Sequence, residues 1–174
     1  MRIGPNIRAL IEADLPVIRA WMRDASQAPA WSDADLARLV AMPRSDQRKL
    51  RKGWVAENGQ SGITGFAVAS ALCIPHEAAE CELEFVLVPP QARRQGIGRM
   101  LVEAVLAWAH DLGAPEIWLE VRESNATALR LYAQCGFVVA GRRPAYYANP
   151  AEDAVLMRGR ISYVPPTHPY DAPV

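Results

Sequence analysis

Val86-Leu87-Val88-Pro89-Pro90-Gln91-Ala92-Arg93-Arg94-Gln95-Gly96-Ile97-Gly98-Arg99 joins a strand pattern to a helix pattern. The alternation from Glu80 to Val88 predicts the strand, which Pro89 ends because proline cannot donate to a strand ladder. An apolar stripe at helical spacing predicts the helix, which Gly113 terminates. The first N–H groups of a helix lack intrahelical partners and lie at the positive end of its dipole. We therefore expect an anion-binding loop between the two elements.

The loop itself narrows the class of anion. Gly96 and Gly98 let the backbone approach a diphosphate closely, and Arg94 and Arg99 add positive charge at the rim. A Walker loop would end in Gly-Lys-Ser/Thr, which is absent, and a dinucleotide fingerprint needs a third glycine where Leu101 stands. An R/Q-x-x-G-x-G/A pattern remains. By spacing alone, a tight turn with solvated arginines fits almost as well.

The strand before the loop alternates strictly, which predicts two distinct faces. One face is expected to carry Cys81, Leu83, Phe85 and Leu87, and the other Glu82, Glu84, Val86 and Val88.

The remaining elements follow from caps, turns and periodicity. We expect helices after the N-caps Asp14 and Ser32, and a short helix capped by Ser124 or Asn125 and closed by Gly136. The last two strands are expected to flank a long tyrosine-bearing loop. The predicted strands are Arg2 to Ala9, Trp54 to Glu57, Gly65 to Ile74, Glu80 to Val88, Glu116 to Val121, Phe137 to Gly141 and Ala154 to Ile161. This order predicts one α+β domain over residues 1–161 and a proline-rich tail over residues 162–174.

Composition excludes several classes of function. The 174 residues hold 19 basic and 19 acidic side chains, so no global field attracts nucleic acid or an acidic membrane. No apolar run approaches the ~20 residues of a membrane span. Three scattered cysteines and three scattered histidines give neither a disulfide framework nor metal-ligand spacing. We expect a cytoplasmic protein without a metal, and the oligomeric state stays open.

Four separated motifs resemble one known family in order and spacing. The loop pattern from Arg93 to Gly98 resembles motif A of the GNAT superfamily of N-acetyltransferases. The segments 119–125, 128–132 and 136–137, followed by residues 142–154, resemble the bacterial ribosomal-protein alanine N-acetyltransferases of the RimI type, and Trp31-Ser32 fits the same family. The resemblance implies a single three-layer α/β (α+β) domain, with a central mixed, largely antiparallel twisted sheet flanked by helices.

The resemblance also implies chemistry. The co-substrate would be acetyl-CoA, and the acceptor the N-terminal amine of a protein, in that family the alanine of a small-subunit ribosomal protein. Glu120 falls on the family's proton acceptor, and Tyr132 on its proton donor to the coenzyme A sulfur. The residues implied for coenzyme binding are Val86, Leu87 and Val88 through their main chain, then Arg94, Gln95, Gly96, Ile97, Gly98, Arg99 and Asn125.

Alternatives remain for the catalytic residues. Without the surrounding motifs, Glu120 would be read as a surface carboxylate at a strand end, and Tyr132 as a core residue. Glu82 and Glu84 are the fallback bases, because some acetyltransferases use a carboxylate on that strand. Cys135 would permit a ping-pong mechanism through an acyl-cysteine, which we place below direct transfer.

Alternatives also remain for the acceptor. Arg142, Arg143, Tyr146 and Tyr147 fit one wall of a peptide groove as well as they fit an ordinary hairpin loop. Phe85 replaces a small or polar residue of the family and is expected to alter the floor of the acceptor pocket. The alternative functions are acetylation of a small-molecule amine, such as an aminoglycoside or polyamine, and non-catalytic acyl-CoA binding.

Overall fold

The computed structural model describes residues 5–25, 31–40, 48–59 and 62–161. Two one-turn 3-10 helices, Glu12–Asp14 and Pro90–Ala92, accompany the main elements. These are β1 (Asn6–Ala9), α1 (Leu15–Asp24), α2 (Asp33–Ala37), β2 (Lys49–Asn58), β3 (Gly62–Leu72), β4 (Glu80–Leu87), α3 (Ile97–Asp111), β5 (Glu116–Arg122), α4 (Ala126–Gln134), β6 (Phe137–Ala148) and β7 (Ala151–Arg160). The predicted tail, and residues 2–4 of the predicted first strand, lie outside the described residues.

The strands form one seven-stranded sheet in the order β1-β2-β3-β4-β5-β7-β6. Pairing is antiparallel throughout, except between β4 and β5, which run parallel. One core cluster packs α3 and α4 against the sheet, and a second core cluster packs α1 and α2 against it. The expected three-layer α+β fold with a mixed, largely antiparallel sheet is confirmed.

The strict alternation predicted for β4 is wrong, because a β-bulge interrupts the strand. Val68 of β3 pairs with Phe85 and the next residue, Ala69, pairs with Leu83, so Glu84 has no register partner on β3. The extra residue reverses the faces of the strand beyond it. Val86 therefore packs with the α3–α4 core cluster, together with Cys81, Leu83 and Val88, whereas Phe85 and Leu87 pack with the α1–α2 core cluster.

The two parallel strands separate soon after they meet. β4 and β5 pair only at Cys81 with Ile117 and at Glu82 with Trp118. Beyond Glu82, all of β4 and β5 lies within the described chain, yet no further pairing joins them. The sheet therefore has a gap on the β5 side of β4, between residue 83 and the loop that follows the strand.

The predicted tyrosine-bearing loop is instead part of a long hairpin. β6 continues to Ala148, with irregular register between Arg143 and Tyr147, and β7 begins at Ala151. Ala145 has φ +52° within this irregularity, and its N–H donates to Asp153 Oδ1 at 2.9 Å. A bulge that combines a positive φ with three residues unpaired in register has no alternating signature, which explains why the sequence pattern predicts a loop.

The two predicted N-caps differ in outcome. Ser32 accepts a hydrogen bond from the Asp35 N–H, and Asp35 accepts in return from the Ser32 N–H, as predicted. Asp14 precedes α1 but makes no side-chain cap, so the prediction of its capping role is wrong. Its carboxylate is bound by the Arg8 guanidinium at 2.7 and 2.9 Å and by the Ile11 N–H. A charge-assisted bidentate pair is stronger than one bond to a helix N–H.

Candidate active site

The glycine loop opens α3 in a conformation suited to an anion. Gly96 is the N-cap of α3 with φ +79°, and Arg94 also has a positive φ, +64°. The first intrahelical bond runs from the Met100 N–H to the Gly96 carbonyl oxygen. Within the described chain, no side chain caps this end of the helix. The N–H groups of Ile97, Gly98 and Arg99 therefore precede the first bonded turn, where an anion can accept from them.

The two glycines serve different purposes. Gly96 has open space around it, so its left-handed backbone is what requires glycine. Gly98 packs closely against α4, since a Cβ there would lie 3.1 Å from Leu131 Cδ2. Gly98 therefore brings the first turn of α3 against α4, and Gly96 gives the turn its shape.

The arginines of the loop are arranged unequally. Arg93 Nε donates to the Val88 carbonyl oxygen at 3.1 Å, which ties the loop back to the end of β4. Arg99 pairs with Glu103 at 2.7 Å on the helix surface. Arg94 and Gln95 are exposed. Of the three arginines, Arg94 is therefore the one whose charge is most available to a phosphate at the rim of the loop.

The other residues implied for the coenzyme lie on both sides of the gap in the sheet. The side chains of Val86 and Val88 pack with the α3–α4 core cluster, so the main chain is the part of these residues that can face a ligand. Leu87 packs with the α1–α2 core cluster. The Asn125 side chain accepts from the Ala128 N–H at 3.1 Å and caps α4, which is the alternative role expected for it.

A cleft of about 770 Å³ opens where β4 and β5 meet. Its acidic lining includes Glu82 from β4 and Glu120 from β5, and its basic lining is Lys49 and Arg143. The other lining residues are Ser70, Ala71, Leu72, Ala78, Ala79, Glu80, Cys81, Pro115, Glu116, Trp118, Leu119, Tyr146 and Leu156. Phe85 is not among them. It contacts the rings of Trp31 and Phe66 instead, and its expected effect on the floor of the acceptor pocket stays a prediction.

Glu120 lies in this cleft with two partners from β6. Its side chain is 16% exposed, and Oε1 forms an ion pair with Arg143 Nη1 at 2.8 Å. The Tyr146 hydroxyl donates to the same carboxylate, and this hydrogen bond raises the pKa of Tyr146 to about 12. As predicted, Ile117, Leu119 and Val121 are buried on the opposite face of β5. The Glu120 carboxylate is therefore positioned by two partners and still lines the cleft.

The fallback bases occupy different environments. Burial, followed by the charges of Glu84 and Glu120, raises the pKa of Glu82. Glu84 lies at the bulge and pairs with Arg51 at 2.6 Å, away from the cleft lining. Glu82 thus lines the cleft together with Glu120, whereas Glu84 forms an ion pair outside the cleft lining.

Tyr132 lies on α4, in the core cluster that packs this helix and α3 against the sheet. Its side chain is 7% exposed in the α3–α4 core cluster and packs against Phe137, with 5.8 Å between ring centroids. Burial raises its pKa well above the ordinary value. The structure does not place Tyr132 in the lining of the cleft that holds Glu120. Tyr147 lies near both residues, since its charge helps to raise the pKa of Tyr132 and the charge of Glu120 helps to raise the pKa of Tyr147.

Cys135 follows α4 and is half-buried. Burial raises the pKa of its thiol, and the charge of Glu103 acts in the same direction. A thiol held protonated is a poor nucleophile, which disfavours the acyl-cysteine alternative.

Sequence reasoning missed the role of Arg122. This residue ends β5, two positions after Glu120 and on the same face, and its guanidinium contacts Tyr147, Glu152 and the turn of the β6–β7 hairpin. The alternation along β5 could have shown that Arg122 shares a face with Glu120. It could not have shown the partners of Arg122, because they lie in the hairpin that the sequence pattern predicts to be a loop.

Two kinds of feature are missing from residues 5–25, 31–40, 48–59 and 62–161. Within these ranges, no three His, Cys, Asp or Glu side chains are grouped so that they could hold a metal ion. None of the helices there combines the length and apolarity that crossing a membrane requires.

The chain matches known proteins over this region. The model of the acetyltransferase (GNAT) family matches residues 15–137. The [ribosomal protein bS18]-alanine N-acetyltransferase of Salmonella typhimurium is 42% identical over 85 residues, which are 48% of this chain and 57% of the relative. The chain thus matches little more than half the length of that relative. Streptothricin acetyltransferase of Streptomyces lavendulae is 32% identical over 100 residues, 58% of this chain and 51% of the relative.

The fold comparison covers more of the chain. The crystal structure of the ribosomal-protein-S18-alanine N-acetyltransferase from Escherichia coli superposes with a TM-score of 0.71 at 29% identity, over 95% of this chain and 99% of that one. The family model covers most of this chain, including α3, the glycine loop and Glu120. The chain therefore belongs to the acetyltransferase (GNAT) family.

Proposed function

We propose that this protein transfers an acetyl group from acetyl-CoA to the N-terminal amine of a protein, the alanine of a small-subunit ribosomal protein being the leading acceptor. The observation that carries the proposal is the gap between β4 and β5. The gap begins beyond Glu82, which lines the cleft that holds Glu120, and it runs along β4 towards the glycine loop that follows the strand. Similarity to the alanine N-acetyltransferases of Salmonella typhimurium and Escherichia coli supports the choice of acceptor.

The gap suits the extended, amide-rich arm of coenzyme A. Beyond Glu82, the edge of β4 that faces β5 has main-chain groups without a strand partner, and an extended chain of amides can pair with them as a peptide does. The diphosphate can be bound, among the described residues, by the N–H groups of Ile97, Gly98 and Arg99 and by the exposed side chain of Arg94. In this proposal the coenzyme contacts are those named from the sequence, residues 86–88, 94–99 and Asn125.

The proposed reaction is direct transfer. The amine nitrogen attacks the thioester carbonyl, so that a C–N bond forms and the C–S bond breaks. Glu120 takes the proton that the amine loses, and Tyr132 protonates the departing thiolate. An N-terminal amine has a pKa of ~7.7–8, so a carboxylate in a cleft suffices as base. The raised pKa of Tyr132 keeps its proton available at neutral pH.

Peptide acetylation tests this proposal. Purified protein is incubated with acetyl-CoA and peptides that begin with Ala, Ser or Met, and mass spectrometry locates the acetyl group. We expect acetylation of the α-amine, most rapidly at alanine. The same peptides with a blocked α-amine and a free lysine are the control. Acetylation of the lysine alone would contradict the proposal.

A small-molecule amine is the second candidate acceptor. Two observations favour it: the similarity to streptothricin acetyltransferase and the acidic lining of the cleft, which includes Glu80, Glu82 and Glu116 besides Glu120. Streptothricin, spermidine and an aminoglycoside in the same assay distinguish the candidates. Turnover of one of these with no turnover of any peptide would establish the second candidate.

We propose residues 1–161 as the catalytic domain, with the proline-rich residues 162–174 outside it. Truncation after Ile161 should leave acetyl-CoA binding unchanged.

A further inference from the structure

Arg122 ties the turn of the β6–β7 hairpin to the end of β5. Its Nη2 donates to the Asn149 carbonyl oxygen at 3.0 Å, and its Nη1 donates to the Pro150 carbonyl oxygen at 3.2 Å. The same Nη1 pairs with Glu152 Oε2 at 3.2 Å. One guanidinium therefore binds three residues in and beside the turn, and its side chain is only 12% exposed.

The contacts continue from Arg122 to the candidate base. The guanidinium carbon of Arg122 lies 4.0 Å from the centroid of the Tyr147 ring. Tyr147 meets Tyr146 edge to face, with 5.1 Å between centroids and an interplanar angle of 88°. The Tyr146 hydroxyl donates to the Glu120 carboxylate. Arg122 thus reaches Glu120, its neighbour on the same face of β5, through two tyrosines of the opposite hairpin.

The turn is also fixed to the loop between β5 and α4. Glu152 accepts a hydrogen bond from the Ser124 N–H, and the Glu123 N–H donates to the Asp153 carbonyl oxygen at 3.2 Å. Arg142 of β6 pairs with Glu123 at the surface. The hairpin and α4, which carries Tyr132, therefore meet at one junction, and Arg122 is its half-buried cation.

We propose that Arg122 is a positioning residue: by holding the hairpin turn and Tyr147, it sets Tyr146 and the acceptor wall of the cleft relative to Glu120. This inference rests on the proposed function. An arginine suits this position, because a planar guanidinium can donate to two carbonyl oxygens and a carboxylate while it stacks on a ring. A lysine has the charge but not the fork or the plane.

The fold offers a matched control at the opposite edge of the sheet. Arg8 of β1 binds Asp14 at 2.7 and 2.9 Å and Glu57 at 2.9 Å, so it is at least as well bonded as Arg122. Neither of these partners lines the cleft, and neither does Arg8 itself. Arg8→Ala should therefore reproduce the loss of stability that Arg122→Ala causes, without the effect on the cleft.

The test compares Arg122→Ala, Arg122→Lys and Arg8→Ala in Tm, in KM for acetyl-CoA, and in KM and kcat for the acceptor that the wild type turns over. We expect Arg122→Ala to raise the acceptor KM at least tenfold with the acetyl-CoA KM within twofold. Arg122→Lys should recover less than half of the loss on a logarithmic scale. Arg8→Ala should lower Tm by a similar amount with both KM values unchanged. Equal acceptor KM values for Arg122→Ala and Arg8→Ala would overturn the inference.

A second readout keeps this inference separate from the proposed function. If the wild type acetylates no amine, the proposed function fails, and amide hydrogen exchange over residues 145–153 then decides the role of Arg122. Arg122→Ala should accelerate exchange there, including the Ala145 N–H, whereas Arg8→Ala should not. Unchanged exchange over residues 145–153 in Arg122→Ala would refute the positioning role.

Discussion

Arg143 Nη1 lies 2.8 Å from Glu120 Oε1, so the carboxylate proposed as the base is held by a cation from a different strand. Arg143 is more than half exposed, and the pair opens onto the cleft, where an approaching ammonium competes for the same carboxylate. Tyr146 donates to that carboxylate from the same strand as Arg143. The acceptor side of the site is therefore assembled from β5 and β6, with Glu120 at the point of contact.

Glu120→Gln should remove the base while retaining the shape of the side chain. We expect kcat to fall about 10²–10⁴-fold, the usual range for a general base. The Kd for acetyl-CoA should not change, because the contacts proposed for the coenzyme lie elsewhere. Steady-state kinetics and calorimetric binding measure the two effects.

Glu57→Gln is the control, since that carboxylate binds Arg8 away from the cleft. Glu82→Gln distinguishes the two candidate bases. If Glu82→Gln abolished turnover while Glu120→Gln retained it, the assignment of the base would pass to Glu82.

Tyr132→Phe should preserve packing against Phe137 while removing the proposed acid. We expect kcat to fall without a change in acetyl-CoA affinity. The pKa of Tyr132 is raised by burial, so its acid form persists as pH rises past the ordinary tyrosine value of about 10. The kcat of the wild type should therefore show no fall assignable to Tyr132 up to that pH. A decline centred between about pH 8 and 9 that disappears in Tyr132→Phe would contradict this expectation, since it lies below even the ordinary tyrosine value.

Much of the site was predictable because its signals are local in sequence. The glycine loop, the Asn125 cap and the buried face of β5 depend on spacing within a few residues, and the structure places them in those elements. The bulge at Glu84 was not predictable, since one extra residue leaves the apolar pattern intact while it reverses the faces beyond it. The face of β4 that carries Phe85 was mispredicted for that reason.

The hairpin was unpredictable for a different reason. The partners of Tyr146 and Arg143 lie on β5, and the partners of Arg122 lie in the turn near residue 150. Side-chain contacts over such separations have no periodicity of their own. They become visible only once the order of strands in the sheet is known.

Gly96→Ala should separate backbone strain from coenzyme binding. Gly96 and Gly113 have φ values of +79° and +73°, and at both positions a Cβ would meet open space. Each alanine variant should lose about 1–2 kcal/mol of unfolding free energy because it forces a left-handed conformation. Only Gly96→Ala should also raise the Kd for acetyl-CoA, because Gly113 lies at the other end of α3. Equal Kd values for the two variants would remove the glycine loop from the coenzyme site.

Asp14→Asn should reduce the free energy of unfolding and should also make that free energy depend less on pH in the acidic range. The Arg8 guanidinium holds the pKa of Asp14 below its ordinary value, so the pair stabilises the fold above about pH 4 and this stabilisation is lost as pH falls further. At pH 7 we expect a loss of about 1–3 kcal/mol, because the substitution leaves Arg8 partly unpaired. Denaturant unfolding from acidic to neutral pH measures both effects. Asp33→Asn, which breaks an exposed ion pair with Arg19, should change neither.

The decisive measurement is acetyl-CoA turnover against a peptide with an N-terminal alanine, beside the same peptide with a blocked α-amine and beside streptothricin and spermidine. We predict acetyl transfer to the free α-amine, at a rate that Glu120→Gln lowers by about 100-fold or more. Transfer to a small amine only, or transfer to the peptide at the parent rate in Glu120→Gln, would contradict this prediction.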